Sequence, residues 1–224
     1  MFLKIIFFFF FTFSLQAQIN LPECKINKLK VISTFQCKGK INFNDSFTYE
    51  GEFTNTLIEG FGILTWHKSN EYKKYKGYFI NNKLHGVGTL YFINGDKYIG
   101  EFVKGNREGN GEKFFNNGDI YKGQFINNFF DGFGEYKKKD GFIYKGNFSV
   151  GNFDGYGIAY YQSGERYIGH WKAGKREGRG FLFTKNELGY RGEWKNGLPH
   201  GLGVIFYKKG KREKKIFFEG EVVK

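Results

Sequence analysis

The chain repeats one short alternation of aromatic, glycine and polar positions over most of its length. In the stretch Tyr121-Lys122-Gly123-Gln124-Phe125, the tyrosine, the glycine and the phenylalanine fall on one side of an extended segment, and the polar residues fall on the other. Asn127 and Asn128, which tolerate positive φ, then predict a tight turn. Alternation resumes over residues 131–136, with Gly132, Gly134 and Tyr136 on one face. The unit is therefore predicted to be a β-hairpin.

The leading tyrosine of this unit recurs at a regular interval. Its seven copies are Tyr49, Tyr75, Tyr98, Tyr121, Tyr144, Tyr167 and Tyr190, spaced by 26 residues once and then by 23 residues five times. A fixed period of this length predicts one supersecondary unit copied along a line, each copy packing on its neighbours. The predicted fold class is all-β: an elongated, twisted antiparallel ribbon, or solenoid, of stacked β-hairpins.

A glycine stands near the centre of each predicted strand. Glycine weakens a strand, so its regular recurrence indicates that something lies close against the backbone there. We expect an aromatic ring of the adjacent strand to cover the bare Cα. The same design is seen in Gly100 with Phe102, Gly146 with Phe148, Gly169 with Trp171, and Gly192 with Trp194.

The first 18 residues have a different composition. Lys4 precedes an uncharged, Phe-rich run from Ile5 to Leu15, and Ala17 offers a small residue for cleavage. This pattern predicts a secretory signal peptide over residues 1–18, with an uncleaved membrane anchor as the alternative. The protein is then expected to be periplasmic, secreted or on the cell surface. In an exported chain the only two cysteines, Cys24 and Cys37, are expected to form a disulfide, whereas a cytosolic chain would keep two unpaired thiols.

The repeated unit closely resembles the MORN repeat. The resemblance rests on Tyr75-Lys76-Gly77-Tyr78-Phe79 with His85-Gly86-Val87-Gly88, and on Tyr190-Arg191-Gly192-Glu193-Trp194 with His200-Gly201-Leu202-Gly203. It covers about 49–207 in seven copies and implies a β-hairpin array used as a scaffold or binding module. Residues 19–48 are predicted to form an N-terminal cap with the disulfide, and 208–224 a basic segment and a capping strand. In that last segment Phe218–Val222 resembles a first strand with Phe in place of Tyr, and no second strand is expected after it.

The positions before each Gly-x-Gly pair suggest one form of chemistry. They form a ladder of titratable residues: Glu59, His85, Glu108, Asp131, Asp154, Glu177 and His200. Neighbouring members are expected about 10 Å apart, which exceeds the roughly 5–9.5 Å that separates paired glycosidase acids. We expect these side chains to stabilise turns, and an enzyme remains a remote alternative. The Gly-x-Gly pairs lack the third glycine and the helix of a nucleotide loop, so they are not expected to bind a nucleotide. No catalytic residue, metal or cofactor is predicted.

The formal charge of +13 is concentrated in two sets of residues that could contact an anionic surface. One set crowds the C-terminal segment: Lys208, Lys209, Lys211, Arg212, Lys214 and Lys215. The other occupies the position after the leading tyrosine: Lys76, Lys122, Lys145 and Arg191. Ordinary solvation of strands and turns is the alternative for both sets. Nucleic acid is not expected, because export removes that partner and Glu52, Glu101 and Glu193 interrupt the stripe.

Two hypotheses about function follow from the sequence. The first is a non-enzymatic scaffold that binds a protein partner in an exported compartment. The second is a peripheral binder of anionic lipid headgroups or acidic glycans, which would use the basic residues.

Overall fold

The computed structural model describes residues 21–27, 30–33, 35–43, 45–185 and 188–223. The predicted signal peptide, residues 1–18, lies outside the described residues. Within these ranges the chain consists of strands and turns, with one 3₁₀ turn at Lys208–Gly210.

The strands are numbered in chain order. They are β1 (Ile26–Asn27), β2 (Lys30–Val31), β3 (Cys37–Phe43), β4 (Phe47–Thr54), β5 (Leu57–Trp66), β6 (Tyr72–Ile80), β7 (Lys83–Phe92), β8 (Lys97–Val103), β9 (Asn106–Phe114), β10 (Ile120–Ile126), β11 (Phe129–Lys137), β12 (Ile143–Ser149), β13 (Asn152–Tyr160), β14 (Arg166–Lys172), β15 (Lys175–Phe183), β16 (Gly189–Lys195), β17 (Leu198–Phe206), β18 (Arg212–Phe218) and β19 (Glu221–Val222).

Strands β3 to β19 form one antiparallel sheet in which each strand pairs with the strands before and after it in the sequence. Among the described residues no pairing joins β19 back to β3, so the sheet is open. In the part of the chain that the structure describes, β1 and β2 pair only with each other. The predicted all-β ribbon of stacked hairpins is confirmed.

The centre of the sheet is an unbroken line of paired glycines from Gly39 on β3 to Gly203 on β17. In the pair Gly146–Gly157, the ring of Tyr144 lies over both residues. A Cβ on Gly157 would stand 2.5 Å from Cζ of Tyr144, which no side chain could tolerate. The Tyr144 hydroxyl donates a hydrogen bond to the Asn147 carbonyl at 2.9 Å, which fixes the ring.

The covering ring differs from the one that the sequence suggested. Gly100 does not lie under Phe102; Tyr98, two residues earlier on the same strand, covers it and its partner Gly111. The reason is that a tyrosine is long enough to lie flat along the strand and reach two glycines at once. The expectation that a ring of the adjacent strand covers each glycine therefore holds for Gly111, on the strand after Tyr98. It fails for Gly100, which lies on the same strand as Tyr98.

The phenylalanine or tryptophan of each repeat packs between tyrosines instead. Phe148 meets Tyr144 of its own strand edge-on at 5.2 Å and Tyr121 of the preceding repeat at 5.0 Å. Trp171 does the same with Tyr167 at 5.2 Å and Tyr144 at 5.3 Å. This packing leaves six of the seven leading tyrosines with no exposed surface. Each buried ring contributes about 1.5–3 kcal/mol, so every repeat is stabilised by the next.

A β-bulge interrupts the second strand of each hairpin. The prediction that Gly132, Gly134 and Tyr136 share one face is therefore wrong for Gly132. Between the pairs Gly123–Gly134 and Phe125–Phe130, β10 has one residue and β11 has three. Gly132 has a φ of +89° there. A Cβ on this residue would therefore point toward Gln124 and away from the tyrosines. The Gln124 side chain accepts a hydrogen bond from the Phe133 amide at 2.8 Å. Glu101 accepts in the same way from the Asn110 amide at 2.9 Å.

The hairpin turns stack on one another along one edge of the ribbon. Both residues of each turn have positive φ, as in Ala173 (47°) and Gly174 (79°). The Gly174 amide donates to the Phe153 carbonyl of the preceding repeat at 2.9 Å, and equivalent bonds join seven successive turns to the preceding repeat. Asp154 accepts a hydrogen bond from the Ala173 amide at 3.2 Å. Glu108, Asp131 and Glu177 do the same for the turn of the following repeat, so these four residues have the expected turn-stabilising role, whereas no such bond from Glu59, His85 or His200 is found among the described residues.

The two ends of the sheet are closed in different ways. At the start, Cys24 and Cys37 form the predicted disulfide, with an S–S distance of 2.10 Å. Backbone hydrogen bonds from Cys24 to Lys38 and from Lys38 to Pro22, each 2.8 Å, hold the preceding segment against β3. At the other end, the prediction for the capping strand is wrong on two points: which phenylalanine faces the core, and that no second strand follows. Phe217, not Phe218, occupies the aromatic position and packs on Tyr190 at 4.9 Å, and a second strand, β19, follows it.

Turns between hairpins line the opposite edge and contain buried carboxylates. Asp119 accepts hydrogen bonds from the Tyr136 hydroxyl at 2.7 Å and from the Lys139 amide at 3.0 Å. Burial opposes ionisation of Asp119, but these hydrogen bonds outweigh it and lower the pKa of the carboxyl below 3.8. Asp96 holds the same position one repeat earlier and pairs with Lys113 at 3.1 Å.

The first prediction concerns the contact between tyrosine and glycine. Gly157→Ala should lower the free energy of unfolding by about 2–3 kcal/mol, because the new methyl group overlaps the Tyr144 ring. Denaturant unfolding followed by circular dichroism would measure this. Gly151→Asn is the control: its φ is +81°, it has open space around it, and Asn128 occupies the same turn position. Equal stability of the two variants would contradict the assigned packing.

The second prediction concerns Asp119. A carboxyl with a lowered folded-state pKa stabilises the fold above its unfolded pKa of about 3.8, and this stability is lost as the pH falls through the folded value. Asp119→Asn should therefore cost about 1 kcal/mol at pH 7, and the difference from wild type should shrink below about pH 4. Denaturant titrations at several pH values would measure it. Asp140→Asn is the control at neutral pH, since Asn117 occupies the same turn position. A pH-independent difference for Asp119→Asn would refute the effect.

Candidate functional site

The two faces of the sheet have different surroundings. The leading tyrosines and their aromatic neighbours fill one face and are buried. The other, termed here the open face, carries the residues on either side of each central glycine, such as Lys145 and Asn147 around Gly146. Side chains on this face point away from the core and are therefore available to a partner.

One row of residues on the open face crosses every strand from β3 to β18. This row, the charged row, contains the residue after each leading tyrosine and its cross-strand partners. In order, its members are Lys40, Glu50, Ile63, Lys76, Thr89, Ile99, Glu112, Lys122, Glu135, Lys145, Ile158, Ile168, Phe181, Arg191, Val204 and Lys214. The sheet thus brings the stripe predicted from the sequence, Lys76, Lys122, Lys145 and Arg191, onto one line.

Carboxylates that sequence reasoning missed neutralise the middle of this row. Lys122 pairs with Glu112 at 2.6 Å, and Lys145 pairs with Glu135 at 2.8 Å. The hydrogen bond and charge of Glu112 raise the pKa of Lys122. Glu112 and Glu135 are visible in the sequence as acidic residues of predicted strands. Only the strand register shows that they face the lysines.

A second row on the open face combines exposed apolar side chains with polar and charged ones, the latter being Glu101, Asn110, Gln124, Asn147, His170, Arg179 and Glu193. It contains the middle residue of each Gly-x-Gly motif and the residue that pairs with it on the next strand. Its large apolar members are Phe61, Tyr78, Val87, Phe133, Tyr156, Leu202 and Ile216. Phe133 is 62 % exposed and Leu202 is 61 % exposed. We term it the apolar row, and its members in successive repeats lie about 10 Å apart. The sequence analysis did not identify it, because it treated Gly-x-Gly only as a turn or nucleotide motif.

The open face deepens into a groove over the last three repeats. This C-terminal groove has a volume of about 870 Å³ and crosses strands β13 to β18. Its apolar surface includes Ile168, Phe181, Leu202 and Val204, with Tyr156 at one end. Its charged side chains are Arg179, Arg191, Arg212, Lys214 and Glu193.

The strand β18 divides the basic C-terminal cluster between the two faces. Arg212 and Lys214 are exposed on the open face, and the Arg212 guanidinium lies 5.4 Å from the Phe206 ring centroid. Lys215 alternates with them and pairs with Glu213 at 3.4 Å, and Lys211 pairs with the same carboxylate at 2.8 Å. Lys208 is exposed in the 3₁₀ turn, which also contains Lys209.

The described residues contain no group of three or more His, Cys, Asp or Glu side chains that could hold a metal ion. The carboxylates of Glu108, Asp131, Asp154 and Glu177 are engaged by backbone amides of the turns. Helices long and apolar enough to cross a membrane are absent from the part of the chain that the structure describes.

Three solved structures are similar to this chain at low identity. The wild-type TCP10 domain of Danio rerio CPAP is 16 % identical, with a TM-score of 0.47, over 84 % of this chain and 87 % of that chain. The G-box domain of the microcephaly protein CPAP is 13 % identical, with a TM-score of 0.46, over 81 % and 99 %. The SAS-4 TCP domain of Drosophila melanogaster, in complex with a proline-rich motif of Ana2, is 9 % identical, with a TM-score of 0.39, over 79 % and 88 %. At these values the likeness carries no argument about function.

A comparison with curated protein sequences found no significant match. The family model of the MORN repeat matches seven segments: 49–71, 75–97, 98–120, 121–142, 144–166, 167–186 and 190–212. These segments contain the tyrosine–glycine packing and the stacked turns described above, and they span more than half of the chain. The chain therefore belongs to the MORN repeat family.

Proposed function

We propose that this MORN repeat protein is a non-enzymatic scaffold that binds another protein on its open face, in an exported compartment. MORN repeats are in general modules of protein or membrane interaction. The specific observation behind the proposal is the apolar row, whose large side chains stand in water at regular intervals.

The exposure of the apolar row is costly unless a partner covers it. Phe133, Tyr156 and Leu202 are each more than half exposed, although the same sheet buries six of its seven leading tyrosines completely. Adjacent apolar pairs of the row, Phe61 with Tyr78 and Leu202 with Ile216, form exposed apolar patches of the kind found at interaction sites. Charged side chains of its own row and of the charged row stand beside these apolar groups, and such a mixture of apolar and polar contacts resembles a protein interface.

Two features support an exported location. The Cys24–Cys37 disulfide is of the kind that persists in an oxidising compartment. Residues 1–18 have the composition of a secretory signal peptide. A periplasmic, secreted or cell-surface scaffold accounts for both.

The third prediction tests the scaffold directly. Wild-type protein immobilised on beads should capture a specific partner from the envelope or secreted fraction of its own cells, and Phe133→Ser/Tyr156→Ser should lose most of it. The matched control is Ile93→Ser/Ile126→Ser, which removes two exposed apolar side chains outside the apolar row. Capture would be quantified by mass spectrometry, after circular dichroism has shown that both variants are folded. Undiminished capture by Phe133→Ser/Tyr156→Ser would refute the open face as the binding site.

A second candidate function is binding to anionic lipid headgroups or acidic glycans through the basic residues. The observation that favours it is that Arg212 and Lys214 are exposed side by side on the open face, and no ion pair to either is found among the described residues.

The fourth prediction tests this second function. Binding to vesicles containing phosphatidylserine should weaken as the salt rises from low to physiological, because exposed charges are screened beyond about 8–10 Å. The variant Lys208→Ser/Lys211→Ser/Arg212→Ser/Lys214→Ser should abolish it, as measured by co-sedimentation. The control is Lys83→Ser/Lys97→Ser/Lys104→Ser/Lys175→Ser, which removes the same charge elsewhere on the sheet. If the first variant still sediments with the vesicles, the lipid hypothesis is wrong.

A further inference from the structure

We propose that the C-terminal groove binds an extended acidic segment of a second protein, in which apolar side chains stand beside the carboxylates. This inference rests on the proposed scaffold function and specifies the chemistry of the partner. It is carried by the charge, the apolar surface and the geometry of the groove.

The groove concentrates positive charge that its own side chains do not neutralise. Arg179, Arg191, Arg212 and Lys214 line it against a single carboxylate, that of Glu193, which leaves an excess of three positive charges. No ion pair within 4 Å joins any of these cations to a carboxylate in the described residues. Glu193 instead lies against Gly201 at the bulge, the position from which Glu101 accepts a backbone amide in an earlier repeat.

The charged row changes character where it enters the groove. In the middle repeats Lys122 and Lys145 each pair with a glutamate on the neighbouring strand. In the groove the neighbours of Arg191 are Phe181 and Val204, and Val204 separates it from Lys214. Both cations are thus flanked by apolar side chains and are themselves exposed to a ligand. A ligand for this surface needs negative charge and apolar groups together.

The spacing of these cations suits an extended chain. Arg191 and Lys214 stand on β16 and β18, two strands apart, or about 9.6 Å. Every third side chain of a polyproline II segment points to the same side, about 9.3 Å from the last. Carboxylates at every third residue would therefore meet Arg191 and Lys214 in turn, with Val204 between them, and an adjacent ridge of side chains would lie on Leu202 in the neighbouring row. The groove offers room for such a segment, at about 870 Å³.

The fifth prediction uses synthetic probes with purified protein. A fluorescein-labelled peptide of repeated Glu-Leu-Pro should bind, as measured by fluorescence polarisation. A Lys-Leu-Pro peptide should not bind, because it carries the charge of the groove. A Glu-Ser-Pro peptide should bind more weakly, because it lacks the apolar ridge. Equal binding of all three peptides, or no binding of the first, would overturn the proposal.

Matched variants locate the binding site. Arg191→Ser/Lys214→Ser should weaken binding of the Glu-Leu-Pro peptide by about tenfold or more. Lys76→Ser/Lys145→Ser removes the same charge from the same row outside the groove and should change it less than about twofold. Leu202→Ser should also weaken binding, whereas Ile126→Ser, which removes an exposed apolar side chain outside the apolar row and the groove, should not. Similar effects of both double variants would show attraction to net charge only and would refute the groove.

The peptide assay separates this inference from the scaffold function, because it needs no cellular partner. If the peptides fail but Phe133→Ser/Tyr156→Ser still abolishes partner capture, the scaffold stands and the groove assignment is wrong. If phosphatidylserine vesicles displace the Glu-Leu-Pro peptide from wild-type protein and bind Arg191→Ser/Lys214→Ser poorly, the groove recognises lipid and the proposed protein ligand is wrong.

Discussion

The contact between each leading tyrosine and a pair of glycines determines the rest of the structure. The ring of Tyr144 lies flat on Gly146 and Gly157, and the space for it exists only because neither residue has a side chain. This contact buries the Tyr144 ring within a single sheet, since the described residues place no second layer over it. The phenylalanine or tryptophan of the next repeat then closes the gap between tyrosines. A sheet that builds its core on one face in this way leaves its other face free for binding.

The periodic part of the fold could be predicted from the sequence, because the tyrosine, the glycines and the turn asparagines each have one conformational consequence. The bulge at Gly132 could not, since an inserted residue looks the same as continued alternation until the partner strand is known. The same holds for the last repeat. Glu213 occupies the tyrosine position there and Lys215 the glycine position, so the pattern gave no sign that Phe217 rather than Phe218 faces the core.

The candidate site was predictable only in part. The line of Lys76, Lys122, Lys145 and Arg191 followed from the period, but its neutralisation by Glu112 and Glu135 depends on cross-strand register. The apolar row could be located in the sequence as the middle residue of each Gly-x-Gly motif. It was missed because the motif was interpreted through its glycines alone. The C-terminal groove depends on three repeats together, so no single stretch of sequence contains it.

The unlike ends of the sheet give the array a direction. At β3 the disulfide and the backbone bonds from Pro22 and Cys24 hold the first strand on its outer side. At the other end, among the described residues, β18 pairs with the two residues of β19 over only part of its outer edge. Because each repeat is stabilised mainly by its neighbours, loss of structure proceeds from the less protected end. Thermal or mechanical opening therefore travels from β18 toward β3, and the last repeats, which contain the groove, are the first to open.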